Sequence, residues 1–502
     1  MLRRASIFLV SCVLLLSVVA LARSAEEAPI KVTVHWNKVD RVSKTSPSLL
    51  YLATPLTKRG SPLHDPMLKA VKGLGADYVR AVPCNLCPHL EVPELDPPGK
   101  HSTSWDFSYV DPQIEDAMKA LEGHPVVWNF STIPEWMFKT PKPVLYPADP
   151  DRLVYDYEQG KELAVPYRVV ADYFARIVSW YVKGGFTDEL GNWHQSGHHY
   201  KVDYWEVLNE PDIEHGLSPE VYTKIYDAVV EAIHKVSPQT KFVGIVSSYP
   251  GSQSKFFDYF LDPSHHKPGI PLDAISYHFY AVPGEDESEE VNSYTFFAQA
   301  DRFLEVSGYI GTMRDRLSPK TRIMVNEIGT MLPQDWQQGK PGYVFTPIKP
   351  FYWNLSAAVY AYVFAGLARQ GVDVASESMI AAYPGQFPSI AMLDWNTGEP
   401  NARYRVLQLI HDNFRPGDKI VEASSDSGNV MAQAFVSPGG VQKLLLINKR
   451  NRDFEISLPE AAEGKFEVID LATGSNPPRA GTLEGSTFKL GAFGVAVVTL
   501  AK

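Results

Sequence analysis

The chain has 502 residues, 45% hydrophobic and 21% charged, which is enough apolar material for a large core and the wrong balance for disorder. Its 58 acidic and 47 basic residues give a net charge of −11, and no basic run breaks that background, which argues against nucleic acid or an anionic membrane as partner. Three cysteines exclude a disulfide scaffold, and 10 Trp, 25 Tyr and 24 Phe are enough to fill a core and still supply rings for stacking on flat ligand faces such as those of sugars.

The first residues read as an export signal. Arg3 and Arg4 precede an apolar run over 7–20, and Ala20-Leu21-Ala22 is a small-x-small cleavage site. The run is short for a bilayer span, so residues 1–22 are expected to leave and the chain to keep no membrane anchor. Cys12 leaves with them. Within 23–47, Val32, Val34 and Trp36 alternate with Lys31, Thr33 and His35, a strand pattern expected to join the C-terminal sheet.

From 48 to 416 short β-rich runs alternate with helical stretches. The strand candidates are Leu49–Ala53, Asp77–Val82, Pro125–Phe130, Val202–Leu208, Lys241–Val246, Ala274–Phe279, Arg322–Asn326 and Val374–Ile380. Helical periodicity marks Tyr167–Lys183, Pro219–Val236, Ser293–Leu317 and Trp353–Gln370. Ser218-Pro219 supplies an N-cap and first helical residue, and Ser237-Pro238 a stop. Eight such alternations predict an α/β fold, a (β/α)8 TIM barrel with enlarged loops. The competing doubly wound sheet lacks any glycine-rich phosphate signature after a strand. From 417 to 502 the texture changes to short β-rich runs, such as Lys443–Asn448 and Thr487–Leu490, separated by Gly, Asn, Ser and Pro. This predicts a C-terminal antiparallel β-sandwich.

Several features carry little chemistry of their own. Cys84 and Cys87, flanked by Pro83 and Pro88, supply at most half a zinc site, with His89 as an extra candidate. The prolines disfavour a helix-opening redox motif. A small loop disulfide is the reading, with free thiols or a metal or redox pair as alternatives. Gly284–Glu290, the most acidic stretch, reads as a solvated loop, and the adjacent pairs His198-His199 and His265-His266 read as solvated as well. H-E-x-x-H and G-x-S-x-G are absent, and no metal or cofactor is implied.

The informative segments are two strand ends. Tyr204-Trp205-Glu206-Val207-Leu208-Asn209-Glu210-Pro211 is a β-rich run halted by a proline that cannot continue a central strand. Ile323-Met324-Val325-Asn326-Glu327 is an apolar run ending in another Asn-Glu. Counted along the barrel these are the fourth and seventh strands, and C-terminal strand ends form a barrel's active face. Glu210 and Glu327 therefore enter one mouth from opposite sides. Such a pair suits glycoside hydrolysis, which needs one protonated acid and one ionised nucleophile or base.

The segment YWEVLNEPD resembles the acid/base signature of clan A retaining glycosidases, and is most similar to glycoside hydrolase family 39, the family of β-xylosidases and α-L-iduronidases. MVNEIG resembles that family's nucleophile strand. Leu208 stands where the family's signature usually carries Trp. The resemblance implies Glu210 as acid/base and Glu327 as nucleophile in a double displacement with retention. It implies that Asn209 contacts the sugar 2-OH, that His278 or Tyr280 orients the nucleophile, and that Arg80 keeps it ionised. An ion pair with Glu206 is the other reading of Arg80. Trp128, Trp136 and Trp395 are candidates for a sugar-stacking wall. The expected partner is an oligo- or polysaccharide, most simply a β-xyloside. Another glycan, cut internally or iduronidase-fashion, and non-catalytic carbohydrate binding are the alternatives.

Overall fold

The structure, a computed structural model, describes residues 28–84, 87–142, 146–153, 162–284, 287–338 and 340–501. The expected export signal over 1–22 lies outside them. Eight strands close a barrel: β1 Ser46–Leu52, β2 Val79–Val82, β3 Val126–Asn129, β4 Tyr204–Glu206, β5 Lys241–Ser247, β6 Ala274–Ala281, β7 Arg322–Thr330 and β8 Val374–Glu377. Every neighbouring pair is parallel, and Val374 opposite Ser46 closes the ring. This is the (β/α)8 barrel that the alternation predicts.

The helices follow the sequence signals. Tyr167–Lys183 and Pro219–Val236 have the expected bounds, and the Ser218 hydroxyl accepts from Val221 N–H at 3.4 Å as N-cap. The helix ending at Leu317 starts at Glu289, four residues before its expected start. Glu289 and Glu290, read as solvated loop, form its first turn, where the helix dipole favours acids. Among the described residues no helix is long and apolar enough to cross a membrane.

The barrel interior is stacked in layers, and the period-two alternation of each strand sets them. Val127, Tyr204, Val243, Ala274, Met324 and Val374 fill the N-terminal end. Two residues further along four of these strands come Asn129, Glu206, Ser276 and Asn326, all fully buried and polar. Glu206 gathers this layer, accepting from Asn129 Nδ2 at 2.8 Å, Ser276 Oγ at 2.8 Å and Asn326 Nδ2 at 2.5 Å. An apolar plug thus carries a polar layer, and the mouth lies above it.

Nine further strands form one sheet curled around its own core, which includes Val32, Leu446, Ile456, Phe488 and Val498, and Gly185–Thr187 pairs with Trp193–Gln195 as a separate two-stranded ribbon. Its first strand, Ile30–Val42, precedes the barrel in sequence yet pairs antiparallel with Lys419–Ser425 and parallel with Phe454–Ser457. The sheet docks on the barrel's helices, with Phe414 and Phe435 ring centroids 4.3 Å apart and Asn354 Nδ2 donating to Asp470 O at 2.9 Å. Cys84 and Cys87 form a disulfide in the loop after β2. His266 is not solvated: it is buried and bridges Asp227 Oδ1 and Phe260 O, each at 2.7 Å.

Candidate active site

Two local departures from regular strand build the mouth. After Glu206 the chain leaves the ladder, and Leu208 and Glu210 take φ of 62° and 36°. This left-handed region is disfavoured for residues with a Cβ, so the surrounding fold must hold it. The turn lets consecutive residues Asn209 and Glu210 both line the cleft. On β7 the register against β6 slips between Val325 and Glu327. The bulge breaks strict alternation, so Asn326 reaches Glu206 inside the barrel while its neighbour Glu327 also opens into the cleft. Gly329 makes room beside it, since a Cβ there would lie 3.0 Å from Tyr280 Cε1.

The cleft holds about 700 Å³, within the range of small-molecule sites. One carboxylate oxygen each of Glu210 and Glu327 and a ring nitrogen of His278 lie within 4.8 Å of one another. With oxygens no farther apart than that bound, the two carboxyls are set closer than the roughly 6.5–9.5 Å of an inverting pair, as the roughly 5–5.5 Å of a retaining pair requires. Among the described residues this trio is also the one His and carboxylate grouping compact enough for a metal ion. Within it His278 Nδ1 pairs with Glu210 Oε1, and the two Glu327 oxygens accept from Arg80 and Tyr280.

Arg80 forks between three of these groups. Its Nη1 donates to Glu327 Oε1 at 2.6 Å, Nη2 to Asn209 Oδ1 at 2.7 Å, and Nε to Glu206. Arg80 therefore meets Glu206 and Glu327 at once, and a rigid guanidinium is what permits it. Tyr280 donates its hydroxyl to Glu327 Oε2 at 2.5 Å and also meets Ser378 Oγ at 2.6 Å. His278 Nδ1 hydrogen-bonds Glu210 Oε1 at 2.7 Å and stands 3.7 Å from Glu327. Of the two candidates for orienting Glu327, Tyr280 makes the contact, and His278 holds Glu210 instead.

This wiring drives the two carboxyls apart. Burial raises the Glu210 pKa, and the charges of Glu327 and Asp212 add to the rise against the opposing pull of His278. Burial pushes Glu327 the same way, but His278, Arg80 and the Tyr280 hydrogen bond outweigh it and hold Glu327 below the usual carboxylate value. His278 is itself raised: burial lowers it, and the two glutamates more than compensate. The two carboxyls are shifted in opposite directions, the arrangement an acid and an ionised partner in one cleft require.

Three sequence candidates fall outside the cleft. Trp128 is buried against Phe130 and Tyr181, at centroid distances of 6.1 and 5.3 Å. Asn129 points into the barrel, so the preceding residue must face the helices. Trp136 donates to Glu94 O at 3.3 Å, and Trp395 packs edge-on against Phe345 and Trp353. The aromatics that the loops bring to the cleft are Tyr249 after β5, Trp336 after β7 and Phe387 after β8. Tyr249 is 56% and Trp336 46% exposed. A ring set in the polar loop after a strand was the available signal for both. Glu214 was also missed: four residues after Glu210, it lines the cleft, accepts from Asn209 Nδ2 at 2.7 Å and is raised well above the usual value by burial and by Glu210.

A second set of carboxyls lies on the loops after β2 and β3. Glu91 accepts from Ser131 N–H at 2.5 Å and Oγ at 3.0 Å, and burial pushes it up to about 7. Glu94 and Glu135 are buried, and their carboxyl oxygens have no hydrogen-bond partner among the described residues. Burial pushes each up to about 8.

The fold is shared with solved glycoside hydrolases. The GH51 arabinofuranosidase from Xanthomonas axonopodis pv. citri superposes with a TM-score of 0.64 at 13% identity, over 95% of this chain and 100% of that one. A GH30 endoxylanase from Clostridium papyrosolvens C71 gives 0.56 at 14%, over 94% and 100%. A glucosidase from Croceicoccus marinus gives 0.59 at 15%, over 95% and 100%. No known sequence family matches the chain, and no curated protein does.

Proposed function

We propose that the chain is an exported retaining glycoside hydrolase acting on β-xylosides, in the manner of family 39. The observation that carries this reading is the glutamate pair, at retaining distance and with opposed pKa shifts. Glu327, kept ionised by Arg80 and Tyr280, attacks the anomeric carbon while Glu210 protonates the departing oxygen. Glycosylation then removes the Glu327 charge, so Glu210 loses one cause of its raised pKa and acts as base toward water. The solved structures sharing the fold include an arabinofuranosidase, an endoxylanase and a glucosidase, so the fold leaves the sugar open.

A neutral sugar suits the cleft better than a uronate. Its two arginines are Arg80, committed to Glu206, Glu327 and Asn209, and Arg302, paired with Glu305 at 3.0 Å. Export is supported by the leader over 1–22, and the Cys84–Cys87 disulfide suits an oxidising compartment.

The test is turnover of aryl glycosides, β-D-xylosides first, with product stereochemistry read by NMR. A retained β-anomer is expected, and azide should rescue Glu210→Ala as a β-azide. An inverted product without rescue sinks the mechanism, and failure on every glycoside sinks the hydrolase reading.

A further inference from the structure

The cleft is polar along one strip, formed by Arg80, Asn209, Glu210, His278, Tyr280 and Glu327. The wall that continues from the Tyr249 loop, which feels the Glu210 charge, is chemically different. It is made by Pro250 on the loop after β5, Phe279 and Val282 at the end of β6, and Phe303 and Val306 on the helix Glu289–Leu317. Phe279 and Phe303 stack with centroids 4.5 Å apart. Loop and helix close on each other, since a Cβ on Gly251 would lie 3.5 Å from Val306 Cγ2.

Polar side chains on this wall already have partners. Gln299 donates to Val282 O at 2.7 Å and accepts from Val282 N–H at 2.9 Å. Ser248 Oγ donates to Asp212 Oδ2 and Ser252 Oγ to Tyr249 O, each at 3.1 Å. A sugar packed here would bury hydroxyls without partners, the mismatch that polar groups tolerate least. The position of the acid decides what occupies this wall. Glu210 delivers its proton to the departing oxygen, so the leaving group lies on the Glu210 side. Ile213 stands there, as does Tyr249, close enough to feel the Glu210 charge.

We propose that this chamber binds an apolar aglycone, alkyl or aromatic, and that the substrates are amphiphilic glycosides rather than polysaccharides. The inference rests on the hydrolase reading above. The sugar sits on the polar strip and the hydrocarbon lies against Phe279, Val282, Phe303 and Val306.

Calorimetric titration of the inactive Glu327→Gln protein with methyl, butyl and octyl β-D-xylopyranoside, below the micelle concentration, tests it. Affinity should rise with chain length, by up to about fourfold per buried methylene. Xylobiose should bind no more tightly than the methyl glycoside. Val306→Asp should flatten the chain-length dependence while Val306→Ile keeps it, with melting temperatures checking that both fold. Equal affinity for methyl and octyl glycosides, or tighter binding of xylobiose than of octyl xyloside, overturns the proposal. Chain-length-dependent binding in a wild-type protein that turns over no glycoside overturns the hydrolase reading and leaves the apolar chamber standing.

Discussion

Glu327 and Glu135 both sit at the mouth end of the same barrel, both largely removed from water, and their surroundings treat them oppositely. Glu327 meets an arginine, a tyrosine hydroxyl and a histidine, and stays ionised against the cost of burial. Glu135 has no partner for its carboxyl oxygens among the described residues, and burial alone pushes it up to about 8. Burial is common to both, so it does not distinguish a working carboxylate from an idle one. Two donors, Arg80 and Tyr280, and the nearby His278 ring, converging from strands β2 and β6, do.

Breaking the wired set should have the largest effect. Glu327→Gln is expected to remove turnover by more than Glu210→Gln, whose loss should match the roughly 10²–10⁴-fold of a general acid. The second loss should shrink for aryl leaving groups that depart without protonation. Steady-state kinetics on an alkyl and an aryl xyloside checks both, and a Glu327→Gln protein that keeps wild-type kcat contradicts the assignment.

Arg80→Met comes next. It leaves Glu206 and Glu327 buried without their cation, a loss of about 3–5 kcal/mol in stability for such pairs. It should also move the acidic limb of kcat/KM upward, because Glu327 loses a cause of its lowered pKa. Arg80→Lys should retain part of that limb and lose the fork to Asn209.

The pH profile of the native protein is a milder probe. Activity should fall with acid only below the ordinary glutamate range, as Glu327 protonates, and fall with base above that range, as Glu210 ionises. Glu210→Gln, assayed on an aryl xyloside, should lose the basic limb alone.

The smallest effect comes from the idle set. Glu135 is raised from 4.5 to about 8 in the folded chain, so between those values the folded state binds the extra proton and stability falls as pH rises. Glu135→Gln should remove up to about 1.4 kcal/mol per pH unit of that slope. It should melt higher than the native chain at pH 8, show little difference near pH 4.5, and leave kcat within about twofold. A large kcat loss would mean that the comparison between the two sets is drawn wrongly.

Much of this was legible along the chain because it rests on local pattern. Period-two and helical spacing marked the eight strands and the helices, and Pro211 after Asn209-Glu210 marked a strand end. The same count placed Glu210 and Glu327 across one mouth. Pattern failed where the decisive contact joins distant segments or departs from regularity. The bulge at Asn326 and the left-handed turns at Leu208 and Glu210 have no composition signal, yet they aim the site. Trp128 looked like a subsite residue and faces the helices, while Tyr249 and Trp336, on unremarked loops, line the cleft.

The sequence by itself determined that this chain builds a barrel, carries a second β-rich unit and offers two glutamates at opposed strand ends, since period, turn residues and strand count are local properties. The resemblance already assigned the proton to Glu210; tertiary structure supplies the surroundings that bias the choice the same way. That choice depends on Arg80, Tyr280 and His278 arriving from other strands into a buried space, where each charge and hydrogen bond counts for more than it would in water.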